Sequence, residues 1–490
     1  MNRSEALVPM AEKVAEPMSS IDRAWLEMDE PNNPMVVAAI LEFEQVADAQ
    51  ALARGLVERL LREPRFRQRV VASQLGYLWL EDDELHMGYH VQIRQLPAGI
   101  TATALCAAVA TELSYGLDRA LPLWRINLFQ HGDRHVTLLF RAHHAIADGI
   151  AMMQMLLQLS AEGEVRETPG PTPKHHGPLA GFIQGLETVN SALENLTGFV
   201  VDDLRHPGQF SRQLRDFQRT LAAVGRIVTL PDDNPRRFRT APGGHRAVAW
   251  TSGLPFAAVR DFAKSQSVTI NDVFLTALTG AFGRYLRATD GQVPEQQNLR
   301  VSVPVNLRVD GDHEPGNHFG LVLVDLPVGL EGWHARLDVI ADRMLALKRS
   351  PEARSILIAL AAAGHLPASA EKRLVSLVGN KAAAVVSNLP GPRRALTLGG
   401  ARLSNLVFWP PQAARVGIGV GLLSYAGHVT VGISADTAQI ANPQKIIDGF
   451  CAELENMLGR APLIRAAGPR RRKSHPSAAR PRKGANHVNP

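Results

Sequence analysis

The stretch that decides the fold reads His135-Val136-Thr137-Leu138-Leu139-Phe140-Arg141-Ala142-His143-His144-Ala145-Ile146-Ala147-Asp148-Gly149. Its first eight residues are mainly β-branched and apolar, the pattern of a mostly buried strand. The next segment, Ile150 to Leu159, has the length and residue types of a helix. His143 and His144 therefore fall at a strand-to-helix junction, held by rigid elements yet able to reach a cleft. Imidazole is the side chain whose ordinary pKa lies nearest neutrality, so a histidine placed there can take a proton from a hydroxyl. Asp148 and Gly149 add a carboxylate and a tight turn. A second pair, His175-His176, lies among Pro171, Pro173, Gly177 and Pro178. It reads as loop, so a bare histidine pair does not mark a site.

Working outward, 490 residues exceed what one hydrophobic core normally covers, and two domains or two pseudo-equivalent halves are expected. Upstream of the histidines the pattern predicts a short helix from Ser20 to Glu27 and a strand from Met35 to Phe43. A helix follows from Ala47 to Arg62, with Leu52, Leu56, Leu60 and Leu61 on one face. Strand signals at Leu75–Leu80 and His90–Ile93 precede a helix from Ala102 to Tyr115 and a hairpin that turns at Gly132-Asp133. Downstream, Gly163 to Gly177 reads as a linker and Gly181 to Ile227 as helices crossing between the halves. The second half opens with a strand at Arg246–Trp250 and a helix over Leu254–Lys264. Thr269-Ile270-Asn271-Asp272 then caps a helix from Val273 to Ala288. Further strands are predicted at 299–306, 321–326, 383–387, 416–420 and 429–433, with helices over 332–348 and 443–458. The fold class expected is α+β, with a mixed sheet and packed helices in each half. The chain divides into a flexible leader (1–17), a first half (18–165), a linker with crossover helices (166–244), a second half (245–460) and a tail (461–490).

Composition narrows the function. Hydrophobic residues make up 45% and charged residues 20%, an ordinary globular balance. Cys106 and Cys451 are the only cysteines, which excludes a disulfide framework and points to a reducing compartment. No Cys/His cluster has metal-ligand spacing, so neither metal nor cofactor is expected. No Gly-x-Ser-x-Gly nucleophile elbow offers a hydrolase triad. The first residues, with Glu5, Glu12 and Glu16, lack the basic start and apolar core of a signal peptide. No run of about 18 apolar residues reads as a membrane span. The expected location is the cytoplasm, with peripheral contact at the inner membrane face or at lipid inclusions. The net charge of +6 belongs to the tail: from Ala461 on there are eight basic residues and no acidic one, and setting them aside leaves −2. The body is thus no evident nucleic-acid binder. The tail reads as disordered, either solvated or touching anionic lipid.

With its neighbours, His143-His144-Ala145-Ile146-Ala147-Asp148-Gly149 carries a family resemblance. It matches the HHxxxDG signature of the chloramphenicol-acetyltransferase-like superfamily, which includes condensation domains and plant acyltransferases. Pro122-Leu123-Trp124, preceded by Leu117-Asp118-Arg119, resembles the PLW element of the bacterial wax ester synthase/diacylglycerol acyltransferase family. Asn271-Asp272 resembles its ND element. Pro304-Val305-Asn306-Leu307-Arg308, Gly316-Asn317-His318 and Ser387-Asn388-Leu389-Pro390-Gly391-Pro392 are similar to further motifs of that family. Ser20-Ile21-Asp22 with Pro31-Asn32-Asn33-Pro34-Met35 resembles its opening. The resemblance spans residues 18 to 460.

It implies two chloramphenicol-acetyltransferase-like halves with an active-site channel between them. It also implies acyl transfer from acyl-CoA, as a substrate, to a long-chain alcohol or diacylglycerol. His144 is implied as general base and His143 as its support. Asp148 is implied to be structural, paired with an arginine for which Arg308 is the candidate, and Gly149 to hold the turn. Pro122, Trp124 and Asn271 are candidates for substrate contact, although Pro122-Leu123-Trp124 also reads as packing and Asn271 equally as a cap. Asp272 reads as a helix cap and Asn388 as a residue holding a Pro/Gly turn. Two other readings stay open: a condensation-type or polyketide-ester acyltransferase with a carrier-protein donor, and a non-catalytic lipid-binding protein.

Overall fold

The computed structural model describes residues 15–74, 76–132, 134–146, 152, 153, 155, 225, 229, 231, 234–306, 319–349 and 379–459. Asp148, Gly149, Arg308, Gly316-Asn317-His318 and the basic tail lie outside them, as does the crossover expected over 181–227 apart from residue 225.

In chain order the first half carries β1 (Glu16–Pro17), α1 (Ser20–Glu27), β2 (Val36–Glu44), α2 (Ala49–Leu60), β3 (Gln68–Ser73) and β4 (Gly76–Glu81). It continues with α3 (Met87–His90), β5 (Val91–Gln95), α4 (Ala102–Leu113), β6 (Trp124–His131) and β7 (His135–His143). Its helices start where short polar side chains satisfy first-turn amides. Ser19 accepts from the Asp22 amide, Asp48 from those of Gln50 and Ala51, and Thr101 from that of Ala104. The face of α2 bearing Leu52, Leu56 and Leu60 is buried, as its periodicity predicts.

The second half carries β8 (Arg246–Trp250), β9 (Leu254–Pro255), α5 (Phe256–Ser265), α6 (Ile270–Asp290), β10 (Leu299–Asn306), β11 (Phe319–Leu326) and α7 (Trp333–Arg349). After these come β12 (Ala384–Pro390), β13 (Thr397–Leu398), β14 (Ala401–Trp409), β15 (Ile418–Tyr425), β16 (His428–Asp436) and α8 (Gln444–Leu458). The expectation of an α+β fold with a mixed sheet in each half holds.

The first large sheet has the order β13-β14-β2-β7-β6-β5, and the second β11-β10-β12-β15-β16-β8 with β9 beside β16. A small sheet, β1-β4-β3, flanks the first. β7 is central: it pairs antiparallel with β2 from Val36↔His143 to Phe43↔Val136, and with β6 from Trp124↔Ala142 to His131↔His135. Alternation along the strands gives the sheet two buried faces. Leu138, Ala142, Leu41, Leu406 and Phe408 join the core that includes α2. Leu139, Ile40, Val407 and Trp409 join a second core with α4 and with Val248 and Trp250 of β8. The second sheet is covered by α6, which packs against α7 and α8.

Sequence periodicity misses β14. It lies within the second half by sequence, yet pairs with β2 from Arg402↔Glu44 to Trp409↔Ala38 and completes the first sheet. Glycines make the crossing possible. A Cβ at Gly421 of β15 would collide with the Phe408 carbonyl oxygen, and one at Gly432 of β16 with Val407. β3 also escapes the sequence reading. β12 runs on through Pro390, so Asn388 lies in a strand paired with Leu422 and not in a turn. The turn begins after it, at Gly391, where a Cβ would strike the Ser424 carbonyl.

Candidate active site

β7 ends on His143, and both histidine backbones are pinned to neighbouring segments. The His143 amide donates to the Leu123 carbonyl and the His144 amide to the Met35 carbonyl, each at 2.9 Å. Leu123 leads into β6 and Met35 into β2, so the entries of both partner strands hold the pair. The Ile146 amide then donates to the His143 carbonyl at 3.0 Å and turns the chain.

His143 is 1% exposed. Its Nδ1 accepts from the Ala145 amide at 3.0 Å, which in a neutral ring leaves the proton on Nε2. That Nε2 makes no hydrogen bond and lies 3.8 Å from Asp29 Oδ2. Burial pushes the His143 pKa down to about 4, with Asp29 opposing the shift and Arg119 and His144 adding to it. The ring is therefore neutral near pH 7, with the lone pair of Nδ1 taken by the Ala145 amide. His144 is also buried, and its ring packs on Trp25 with centroids 4.5 Å apart.

Among the described residues Asp29 is the carboxylate that faces the pair, and the sequence reading missed it. Its Oδ1 accepts from the Met35 amide at 2.7 Å. Its Oδ2 takes Arg119 Nη2 at 3.2 Å and Nε at 3.4 Å. Arg119 also donates to the Leu26 carbonyl at 2.6 Å, so Leu117-Asp118-Arg119 ties the C-terminus of α1 to the site. The one signal for Asp29 was position: it sits between Ser20-Ile21-Asp22 and Pro31-Asn32-Asn33-Pro34-Met35.

Pro122-Leu123-Trp124 acts as scaffold. Trp124 is fully buried, donates from Nε1 to the Phe66 carbonyl at 2.9 Å, and stacks on His90. Of the two readings of Trp124, packing and substrate contact, this geometry favours packing. Pro122, also buried, accepts from the Trp124 amide at 2.8 Å. Behind β7, fully buried Arg141 meets Glu112 at 3.4 Å.

In the second half, Thr269 and Asp272 close a capping box at the start of α6, with the Thr269 amide donating to Asp272 Oδ2 at 2.8 Å. The helix begins at Ile270, earlier than its apolar run suggests, because Asp272 occupies the third position and not the cap. Asn271 and Asn388 are brought together, with Asn388 Nδ2 3.5 Å from Asn271 Oδ1. Leu389, next to Asn388, lines a partly open cavity whose lining residues are all apolar, among them Ala39, Leu56, Leu60, Phe140 and Met152. The cavity lies on the α2 side of the first sheet. Leu138, Phe140 and Ala142 face that side in alternation, and His144 follows them one residue beyond the strand.

The described residues thus place a buried histidine pair at the end of β7, in a fold of two large sheets tied together by β14. The fold is similar to the wax ester synthase/diacylglycerol acyltransferase from Marinobacter aquaeolei VT8, with a TM-score of 0.61 and 22% identity over 90% of this chain and 100% of that one. It is also similar to the starter condensation domain of rhizomide synthetase, with a TM-score of 0.54 and 16% identity over 92% and 96% of the two chains.

The wax ester synthase/diacylglycerol acyltransferase catalytic domain matches residues 18–274 and the WS/DGAT C-terminal domain residues 315–458, and the chain belongs to that family of acyltransferases. A Mycobacterium tuberculosis relative named "Probable diacyglycerol O-acyltransferase tgs1" is 27% identical over 88% of this chain and 94% of its own. A Mycobacterium bovis relative, "Putative diacyglycerol O-acyltransferase Mb3154c", matches to the same extent.

Proposed function

We propose that the chain transfers a fatty acyl group from acyl-CoA to the hydroxyl of a long-chain alcohol, giving a wax ester, or of diacylglycerol, giving triacylglycerol. A thioester is already activated, so the reaction needs no enzyme nucleophile. It needs an aligned alcohol, a base for its proton and donors for the oxyanion. His144 takes the hydroxyl proton as the oxygen attacks the thioester carbonyl. The tetrahedral intermediate collapses, the C–S bond breaks, and the proton passes to the leaving thiolate to give free CoA.

The observation that carries this reading is the position of His144, one residue past the strand face that lines the all-apolar cavity. An alkyl chain in that cavity gains about 0.8 kcal/mol per buried methylene, which supports a fatty chain as its occupant. In this scheme His143 fixes the loop and Asp148, paired with Arg308, and Gly149 hold its turn. Asn271 lines the channel between the halves 18–165 and 245–460. The protein works in the cytoplasm and meets lipid surfaces peripherally.

The test is incubation of purified protein with palmitoyl-CoA and either hexadecanol or diacylglycerol, following free thiol. Acceptor-dependent thiol release is expected. Silence with both acceptors, together with turnover of a carrier-protein thioester, would replace acyl-CoA as donor. Lipid binding without turnover of either donor would mark a binding protein.

A further inference from the structure

Asp29 stands at the crossing of contacts that fix both histidines. Oδ1 accepts from the Met35 amide at 2.7 Å, and the Met35 carbonyl accepts from the His144 amide at 2.9 Å. One residue, Met35, links the carboxylate to the backbone that holds the proposed base. Oδ2 faces His143 Nε2 at 3.8 Å and is held by Arg119. Because the Ala145 amide occupies His143 Nδ1, the atom facing the carboxylate is the protonated Nε2. The side chain of Asp29 is mostly buried and that of His143 almost completely so, and their interaction is weakly screened.

We propose that Asp29 is the positioning residue of the histidine pair: one carboxylate oxygen fixes the Met35 backbone that holds His144, and the other keeps the His143 ring in its Nε2–H form. Arg119 orients the carboxylate for both tasks. The inference rests on His144 acting as the base. Asparagine is nearly isosteric but cannot serve all three donors. Its amide keeps one oxygen, for Met35 or for Arg119 and His143, and turns an N–H toward the other.

Two measurements on the full chain test this. Steady-state kinetics of Asp29→Asn should show kcat lower by on the order of 10²-fold, the cost of misplacing a reacting group, with KM little changed because the Asp29 carboxylate is engaged by Met35, Arg119 and His143. The charged and titratable groups described around the pair are Asp29, Arg119 and the two histidines themselves. Removing the carboxylate leaves Arg119 unbalanced and disfavours imidazolium. The acid limb of the pH–rate profile should therefore move to lower pH, and Asp29→Glu should restore part of both effects. A folded Asp29→Asn protein with wild-type kcat and an unmoved acid limb overturns the proposal.

The second measurement needs no turnover. In ¹⁵N-histidine-labelled protein, with His143 assigned through His143→Gln, the ring should carry its proton on Nε2, and Asp29→Asn should shift that signal. An unchanged His143 signal overturns the proposal by itself. Wild-type turnover in His144→Ala would instead remove the base on which the kinetic arm depends and leave the ring measurement to decide the role of Asp29.

Discussion

Arg141 and Glu112 meet behind the histidine pair with their charged groups 3.4 Å apart and both side chains buried. Arg141 also donates to the backbone carbonyls of Glu112 and Tyr115, so its positive charge sits at the C-terminal end of α4, where the helix dipole favours a cation. Glu112 takes Arg94 at 2.6 Å and Asn127 at 3.1 Å as well. The strand that delivers His143 is thereby fastened to α4 two residues upstream of the pair.

Removing one partner of this contact should be costly. Glu112→Ala leaves Arg141 charged in an interior that already lowers its pKa to about 10 through burial. A loss of about 3–5 kcal/mol is expected, read as a lower urea midpoint. An unmoved midpoint would mean that the α4 carbonyls alone sustain the charge.

His144→Ala should lower kcat by about 10² to 10⁴, the usual loss for a positioned general base. Circular dichroism and melting temperature should stay close to wild type, since the backbone anchor at Met35 does not use the side chain. Wild-type turnover in the folded variant would rule out the mechanism.

Acid should destabilise the protein through His143. Its folded pKa, about 4, lies below the usual histidine value of 6.5. Between these limits the unfolded chain binds the extra proton. Stability from this group is complete above pH 6.5 and falls as pH drops toward 4, by on the order of 3 kcal/mol. His90 and His131, also lowered by burial, act in the same direction. Denaturant melts from pH 7 to pH 4 should show a smaller decline in His143→Gln, and an equal decline would reassign the effect.

Ala39 faces the apolar cavity from β2. Ala39→Phe should fill part of it, at a stability cost of about 1–3 kcal/mol, and move the substrate optimum to shorter chains. A panel of acyl-CoA and alcohol lengths would show it as a falling kcat/KM for the longest substrates. An unchanged length profile would place both chains elsewhere.

What was legible in the sequence was local. The apolar run from His135 to Ala142 and the polar cap before α6 announce themselves within a few residues, and the histidine junction follows from the first. Asp29 was not legible because its meaning comes from Arg119 and His143, both far along the chain, while a lone aspartate in a loop reads as a turn residue. The role of Arg141 was not legible either, because its partner Glu112 is on a helix. β14 has ordinary strand residues, but no periodicity names a partner in the other half. Trp124 was legible as a packing residue, and its full burial agrees with that reading.

The pairing of β14 with β2 also sets an order of events at birth. On the ribosome, β2, which starts at Val36, emerges 365 residues before β14, which starts at Ala401. At synthesis rates of about 5–20 residues per second, that is a wait of about 20–70 s. Throughout it, a strand of sequence Val36-Val37-Ala38-Ala39-Ile40-Leu41 has one long edge unpaired, a template for any other extended chain. The nascent first half thus cannot close its sheet from its own residues. The β2 edge that β14 covers stays open until the chain has passed Trp409.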